Sequence, residues 1–314
     1  MATPDQLLVV IDPRARRTDG EAVRIAKDVL SAGAASTKVC LPEGPEEFAR
    51  ALSRRGSRRP VVIGDDHALL RTVALLHRQR ELAACALSLI PVGSALGLAR
   101  SLGVPTGAVA AARAALDGVE RRLDLLVDDS DGVVLGTLRI PVLPGAAPPE
   151  PEDPADAEAG TCAGAEAGGG ASGDGSSAGH HSWLRAWPQS LVRTLSTRPA
   201  RASRPPRPRI WVATGGGAGA GPSRLRVEVD GVMLVDLDQP VEGVSITPGT
   251  DGGADVEVRP VSVGAEAAPL HAIGHRVTVS GADFRYRADS LVAGPVRTRT
   301  WTVREGAWGL TLPE

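Results

Sequence analysis

The order of apolar and polar positions sets the first expectations. Leu7 to Ile11, Val61 to Ile63 and Leu87 to Val92 are short, largely apolar runs bounded by turn residues, the pattern of strands buried on both faces of a parallel sheet. Thr37 to Leu41 reads as a further strand. Helical spacing appears between these runs, at Glu21 to Leu30, Pro45 to Leu52 and Ala68 to Leu82. The last of these carries Leu69, Val73, Leu76 and Leu82 on or near one face, as a core-facing helix does. Gly107 to Leu116 predicts another helix, capped by Thr106. Strands alternating with helices argue for an open, mostly parallel sheet.

After Asp128-Asp129-Ser130-Asp131-Gly132 the period changes from helical to two. Val133 to Val142, Leu225 to Val229, Val232 to Val235, Val241 to Thr247 and Asp255 to Val258 alternate as sandwich or meander strands do. The expected fold is therefore α/β in two domains. Residues 1–132 form a mostly parallel α/β domain, and residues 133–314 a domain built as an antiparallel β-sandwich. A tract of Pro, Ala, Gly and Ser at about 144–181 interrupts the second. It cannot bury enough apolar surface to order itself, which predicts disorder. Trp183, Trp187, Leu191 and Leu195 then recur every fourth residue, with Arg185 and Arg193 off that stripe. This is an interfacial pattern, or else a helix laid over the β-domain; Pro188 would kink it. A basic linker follows at about 198–209.

Composition adds exclusions. A formal charge of -2 on 314 residues points to no nucleic-acid partner. Lys27 and Lys38 are the only lysines, a bias that suits base composition better than a selected surface. Cys40, Cys85 and Cys162 are odd in number and far apart, which suggests neither a disulfide framework nor a metal set. The chain enters a strand almost at once, without a signal-like apolar segment, and no run has the length of a membrane span. These features predict a cytoplasmic protein with no transmembrane segment.

Chemistry concentrates in two turns. Val61-Val62-Ile63-Gly64-Asp65-Asp66-His67 and Leu89-Ile90-Pro91-Val92-Gly93-Ser94 each end a strand in a glycine-containing turn that leads to a helix. Such turns at the carboxyl edge of a parallel sheet aim N–H groups at a common crevice and favour anions. The same pattern is also that of an ordinary strand-to-helix turn with an aspartate cap. Asp128 to Gly132 could hold a cation, but Asp-Gly between strands is first a hairpin turn.

Pro91-Val92-Gly93-Ser94-Ala95-Leu96-Gly97-Leu98-Ala99-Arg100-Ser101-Leu102-Gly103-Val104-Pro105 resembles, without a gap, the segment Pro-Leu-Gly-Thr-Gly-Asn-Asp-Phe-Ala-Arg-x-Leu-Gly-Ile-Pro of the diacylglycerol kinase and lipid kinase family. Val61 to Val73 stands where that family carries Gly-Gly-Asp-Gly-Thr. Ala112 to Asp124 is similar to its Gly-x-x-Arg-x-Ile-Asp-Leu, and Arg226 to Gly231 to one of its hairpins. Tyr286 to Leu291 stands where the family has Asp-Gly-Glu. The resemblance implies the two-domain fold shared with NAD kinases, and transfer of phosphate from ATP, with Mg2+, to a lipid hydroxyl such as that of diacylglycerol. It implies Asp289, with Asp65 or Asp66, as catalytic acid–base residues, and Asp12, Gly64, Gly93 and Ser94 as the nucleotide-holding set. Asp65 and Asp124 would be the metal ligands. Asp65 matches the family's acidic residue if Gly64 is its second glycine, and Asp66 matches if the loop has slipped by one. The implied partner is a lipid substrate at a membrane surface, met peripherally, and a homodimer is an allowed assembly. Where the family has Thr, Gly and Asn, this chain has Ser94, Ala95 and Leu96; Ser290 and Leu291 replace a glycine and a glutamate. These departures imply weakened or lost nucleotide binding, and so a second possibility: a non-catalytic relative that binds lipid or protein.

Overall fold

The computed structural model describes residues 6–141, 222–249, 252–261 and 268–314, all within one compact unit. The expectations for the 144–181 tract, the Trp-bearing stretch, the basic linker and Cys162 lie outside the described residues.

The first half alternates as its pattern predicts. Strand β1 (Gln6–Ile11) is followed by α1 (Pro13–Thr18), α2 (Gly20–Gly33), β2 (Ser36–Cys40), α3 (Pro45–Ser53), β3 (Arg59–Gly64), α4 (Asp66–Arg78), β4 (Ala86–Pro91), α5 (Gly97–Ser101) and α6 (Ala108–Asp117). The strands pair in parallel in the order β4-β3-β1-β2. Both sheet faces are covered. Leu8, Val10, Val62, Leu87 and Leu89 join a cluster with Phe48, Leu69, Val73 and Leu76 from α3 and α4. Their sequence neighbours Leu7, Val9, Ile11, Val61, Ile63 and Ile90 face the other way, against Val23, Ala26 and Leu30 of α2 and Ala111, Ala112 and Ala115 of α6. This alternation is the two-residue repeat of a strand whose faces are both buried. The alanines of α6 let it pack close to α2.

Asp12 is the cap of α1, its side chain accepting from Arg14 N, with Pro13 in the first turn. Aspartate as cap followed by proline is a legible start signal. Helix α4 stops at Arg78, because Arg80 takes a left-handed conformation (φ 58°) and Leu82–Ala84 forms a separate 3-10 turn. Helix α6 is capped by Gly107 without a side-chain hydrogen bond, rather than by Thr106.

The second half is strand-rich: β5 (Val119–Asp128), β6 (Val133–Val134), β7 (Leu138–Ile140), β8 (Ser223–Val229), β9 (Val232–Val235), β10 (Pro240–Pro248), β11 (Ala254–Pro260), β12 (Leu270–Gly274), β13 (Arg276–Ala288) and β14 (Leu291–Leu312). Strand β7 pairs with β10 and β13, and β8 pairs with the same two. The ladder therefore runs in a closed antiparallel circuit, β10-β7-β13-β8. Inside it lie Leu138, Ile140, Leu225, Val227, Val244, Ile246, Val277, Val279, Tyr286 and Trp301. The 22-residue strand β14 joins the halves: Gly309 and Leu310 pair in parallel with Ala86 and Leu87 of β4, while its other edge runs antiparallel to β5. Trp308 and Leu310 thereby enter the core of the first half.

Candidate active site

Two turns at the carboxyl ends of β3 and β4 meet, as the sequence pattern implies. Val92 N donates to Gly64 O at 2.9 Å, and Asp66 N to Ala95 O at 2.9 Å. A side chain at Gly64 would bring its Cβ to 2.6 Å from Ala68 Cβ and 3.1 Å from Asp12 Cβ. Gly93 has φ +138°, and a Cβ there would lie 3.0 Å from Asp65 Cβ. Glycine is required at both positions by close approach, and at Gly93 by backbone conformation as well. Asp12, Gly64, Asp65 and Gly93 thus share one neighbourhood, and Ser94 is exposed at the loop tip beside it.

The aspartates are already occupied by local structure. Asp65 caps α4, its Oδ1 accepting from Ala68 N at 3.1 Å, while Oδ2 stands 3.3 Å from His67 Nδ1. The buried Asp66 gives both oxygens to the next turn, accepting from Leu98 N at 2.8 Å and Ala99 N at 2.9 Å. It fastens the two loops together. Asp12 accepts from Arg14 N at 2.8 Å and pairs with Arg71 at 3.1 Å.

Asp124 shares no hydrogen-bond partner with Asp65 among the described residues. It sits on β5 opposite an irregularity in β14, where its Oδ1 accepts from Gly306 N at 2.6 Å and its Oδ2 from Gly252 N at 3.1 Å. Gly306 has φ +49°, and Trp308 Nε1 donates to Asp124 O at 3.3 Å. Its side chain holds that bulge. The Asp128 to Gly132 segment is the hairpin turn between β5 and β6, with Asp128 Oδ1 accepting from Ser130 N and Gly132 N.

Asp289 has the most built environment. It occupies the turn between β13 and β14 at φ +52°. Its Oδ2 accepts from Leu135 N at 2.8 Å, and its Oδ1 from Gly136 N at 2.8 Å and Thr137 N at 2.9 Å. Burial raises its pKa above the ordinary aspartate value, the three N–H groups oppose that shift, and the negative charge of Asp66 adds to it. Asp66 and Asp289 line a cavity of about 430 Å³ with Gly97, Leu98, Ser101, Gly136, Thr137, Arg139, Arg287 and Ser290. Its walls come from the β4–α5 region on one side and from β7 and the β13–β14 turn on the other.

Sequence reasoning missed Arg139 and Arg287. Each is a charged residue in an otherwise alternating strand, at Leu138-Arg139-Ile140 and Tyr286-Arg287-Ala288. The strands place them directly opposite one another, Arg287 against Arg139. Only the pairing of distant strands makes them a pair.

The α/β half with its glycine turns and the strand-rich half with Asp289 line one cavity. Residues 6–127 match the family model described as the diacylglycerol kinase catalytic domain. A crystal structure of a diacylglycerol kinase from Bacillus anthracis str. Sterne is similar in fold, with a TM-score of 0.63 at 11% identity over 99% of this chain and 98% of that one. Two further structures, of a diacylglycerol kinase candidate from the same organism, cover the same shares of both chains. They superpose with TM-scores of 0.63 and 0.62 at 10% and 12% identity. None of the curated proteins compared with the chain matches it.

Proposed function

We propose that this protein is a phosphotransferase that moves the terminal phosphate of ATP to a lipid hydroxyl, with Asp289 as general base. Residues 1–132 would supply the nucleotide side and residues 133–314 the acceptor side. The observation that carries the reading is the setting of Asp289. Its two oxygens have roughly four lone-pair positions, and the three backbone N–H groups fill all but one of them. The remaining position, on Oδ2, is available to a hydroxyl in the cavity. A raised pKa makes the carboxylate a stronger base than an exposed aspartate. Asp289 would take the hydroxyl proton as the oxygen bonds to the γ-phosphorus, and the bond from that phosphorus to the bridging oxygen breaks to release ADP.

The donor side fits less completely. Asp65 Oδ2, whose one hydrogen-bonding neighbour among the described residues is His67, is the carboxylate oxygen that Mg2+ carried on the nucleotide phosphates would meet. One or two carboxylates with substrate phosphates are a usual magnesium environment. The ion would neutralise charge on the phosphates. Asp12 and Asp66 help by holding the turns, and Gly64 and Gly93 by keeping the crevice free of side chains.

A second reading has its own observation. Asp65 packs against the Gly93 backbone, and Leu96 offers no polar group where the family has asparagine. A relative that has lost nucleotide binding, and binds lipid or protein in the crevice, would look the same there. One experiment separates the two: follow the melting temperature with Mg2+-ATP, then transfer of radiolabelled phosphate to vesicles containing diacylglycerol. Labelled lipid that falls by about 10²–10⁴ in a folded Asp289→Ala protein supports the kinase. No nucleotide effect and no label supports the non-catalytic relative.

A further inference from the structure

The cavity beneath Asp289 holds two arginines, Arg139 and Arg287, that form no salt bridge among the described residues. Arg139 and Arg287 are register partners on antiparallel strands β7 and β13, so their Cα atoms lie about 5 Å apart. Like charges set directly opposite one another in a sheet are unfavourable. Neither guanidinium has an ion pair or hydrogen bond among the described residues. Asp66 and Asp289 line the same cavity, but their oxygens are hydrogen-bonded to backbone N–H groups, and neither forms a salt bridge with Arg139 or Arg287 among the described residues. Arg287 Nε and Ser290 Oγ are buried without a partner. Arg139 also borders a second cavity of about 360 Å³ containing Glu257, but that carboxylate is held by Arg259 at 2.6 Å.

We infer that Arg139 and Arg287 form a binding site for a phosphate group carried by the acceptor molecule, next to the hydroxyl that faces Asp289. Paired guanidinium forks match a phosphate's planar pairs of oxygens, and Ser290 Oγ adds a hydroxyl donor. Among the residues lining this cavity Leu98 is the only large apolar side chain, so the walls suit a polar, anionic, hydroxyl-bearing group rather than an acyl chain. The acceptor is thus a phosphorylated polyol, either soluble or as a phospholipid headgroup. Its role as acceptor rests on the kinase reading, whereas the anion site itself does not.

The binding measurements use the full chain without ATP; melting and labelling measurements add Mg2+-ATP. Glycerol 3-phosphate is titrated calorimetrically, and sedimentation follows binding to phosphatidylcholine vesicles with and without phosphatidylinositol. Arg139→Gln and Arg287→Gln are compared with Arg259→Gln, which removes a cation from the neighbouring cavity only. Binding that weakens about tenfold or more in the first two variants, and not in the third, supports the site. Response to glycerol 3-phosphate alone identifies a soluble ligand; response to phosphatidylinositol vesicles alone identifies a headgroup. Equal binding in all variants, or no binding of either probe, overturns it. So does loss of the Mg2+-ATP melting shift in the two variants, which would assign the anion to the nucleotide. Labelling of phosphatidylinositol vesicles that is unaltered in both variants sinks this inference and leaves the kinase reading intact. Phosphate binding without any transfer does the reverse.

Discussion

Asp66 and Asp289 line one cavity from opposite halves of the fold, and the charge of the first helps to raise the pKa of the second. They are separated by most of the chain, yet each is fixed by backbone N–H groups rather than by a cation.

A pH dependence follows. An acid with a raised pKa takes its proton at a higher pH than usual, so a base of this kind is lost early as pH falls. The acid limb of kcat/KM for phosphate transfer should lie above the ordinary aspartate value of about 3.9. Asp66→Asn removes the neighbouring charge and should move that limb to lower pH. The stability linkage has the opposite sense to a salt-bridged aspartate. Asp289 contributes stability below its unfolded pKa and loses that contribution as pH rises through the folded value. A limb that stays in place in Asp66→Asn would separate the two residues.

Gly64→Ala should destabilise the protein by about 1–3 kcal/mol, the usual cost of overpacking. The new Cβ would meet Ala68 and Asp12, neither of which has a flexible end to move. Ala68→Gly in the same chain should recover part of the loss beyond additivity, because the two sites are in contact. Urea denaturation of the four members of this cycle measures it, and strict additivity counts against the proposed clash.

Asp124→Ala removes the acceptor for Gly306 N and Gly252 N. Each hydrogen bond to a charged group contributes about 1.5–3 kcal/mol, so stability should fall by at least about 2 kcal/mol. The magnesium concentration that half-saturates the Mg2+-ATP melting shift should not change. If it does, Asp124 belongs to the metal site after all.

Asp12→Ala should cost about 1–2 kcal/mol, as expected for an N-cap whose side chain is lost, with Arg71 left without its carboxylate. Asp12→Asn retains the cap and should recover most of that loss in a thermal melt. Equal losses for Asn and Ala would show that the ion pair, not the cap, matters.

Much of this was legible in the chain itself. The double-sided apolar runs at Leu7 to Ile11 and Val61 to Ile63 required a covered parallel sheet. Gly64 and Gly93 marked its functional edge, because the turns after neighbouring strands of such a sheet necessarily lie together. Asp289 was found through resemblance to a short motif. What could not be read was which atoms each carboxylate would face. Asp65, Asp66 and Asp124 are alike as letters, yet one caps a helix, one ties two loops and one holds a bulge.

The local pattern by itself determined the elements, their periods and the turn chemistry, since these depend on residues a few positions apart. Tertiary structure alone decided that β14 would stitch the halves together, that β7 and β8 would close a circuit, and that Arg139 would stand against Arg287. Those outcomes depend on strand register between segments far apart in the chain, where a shift of one residue turns every side chain to the other face.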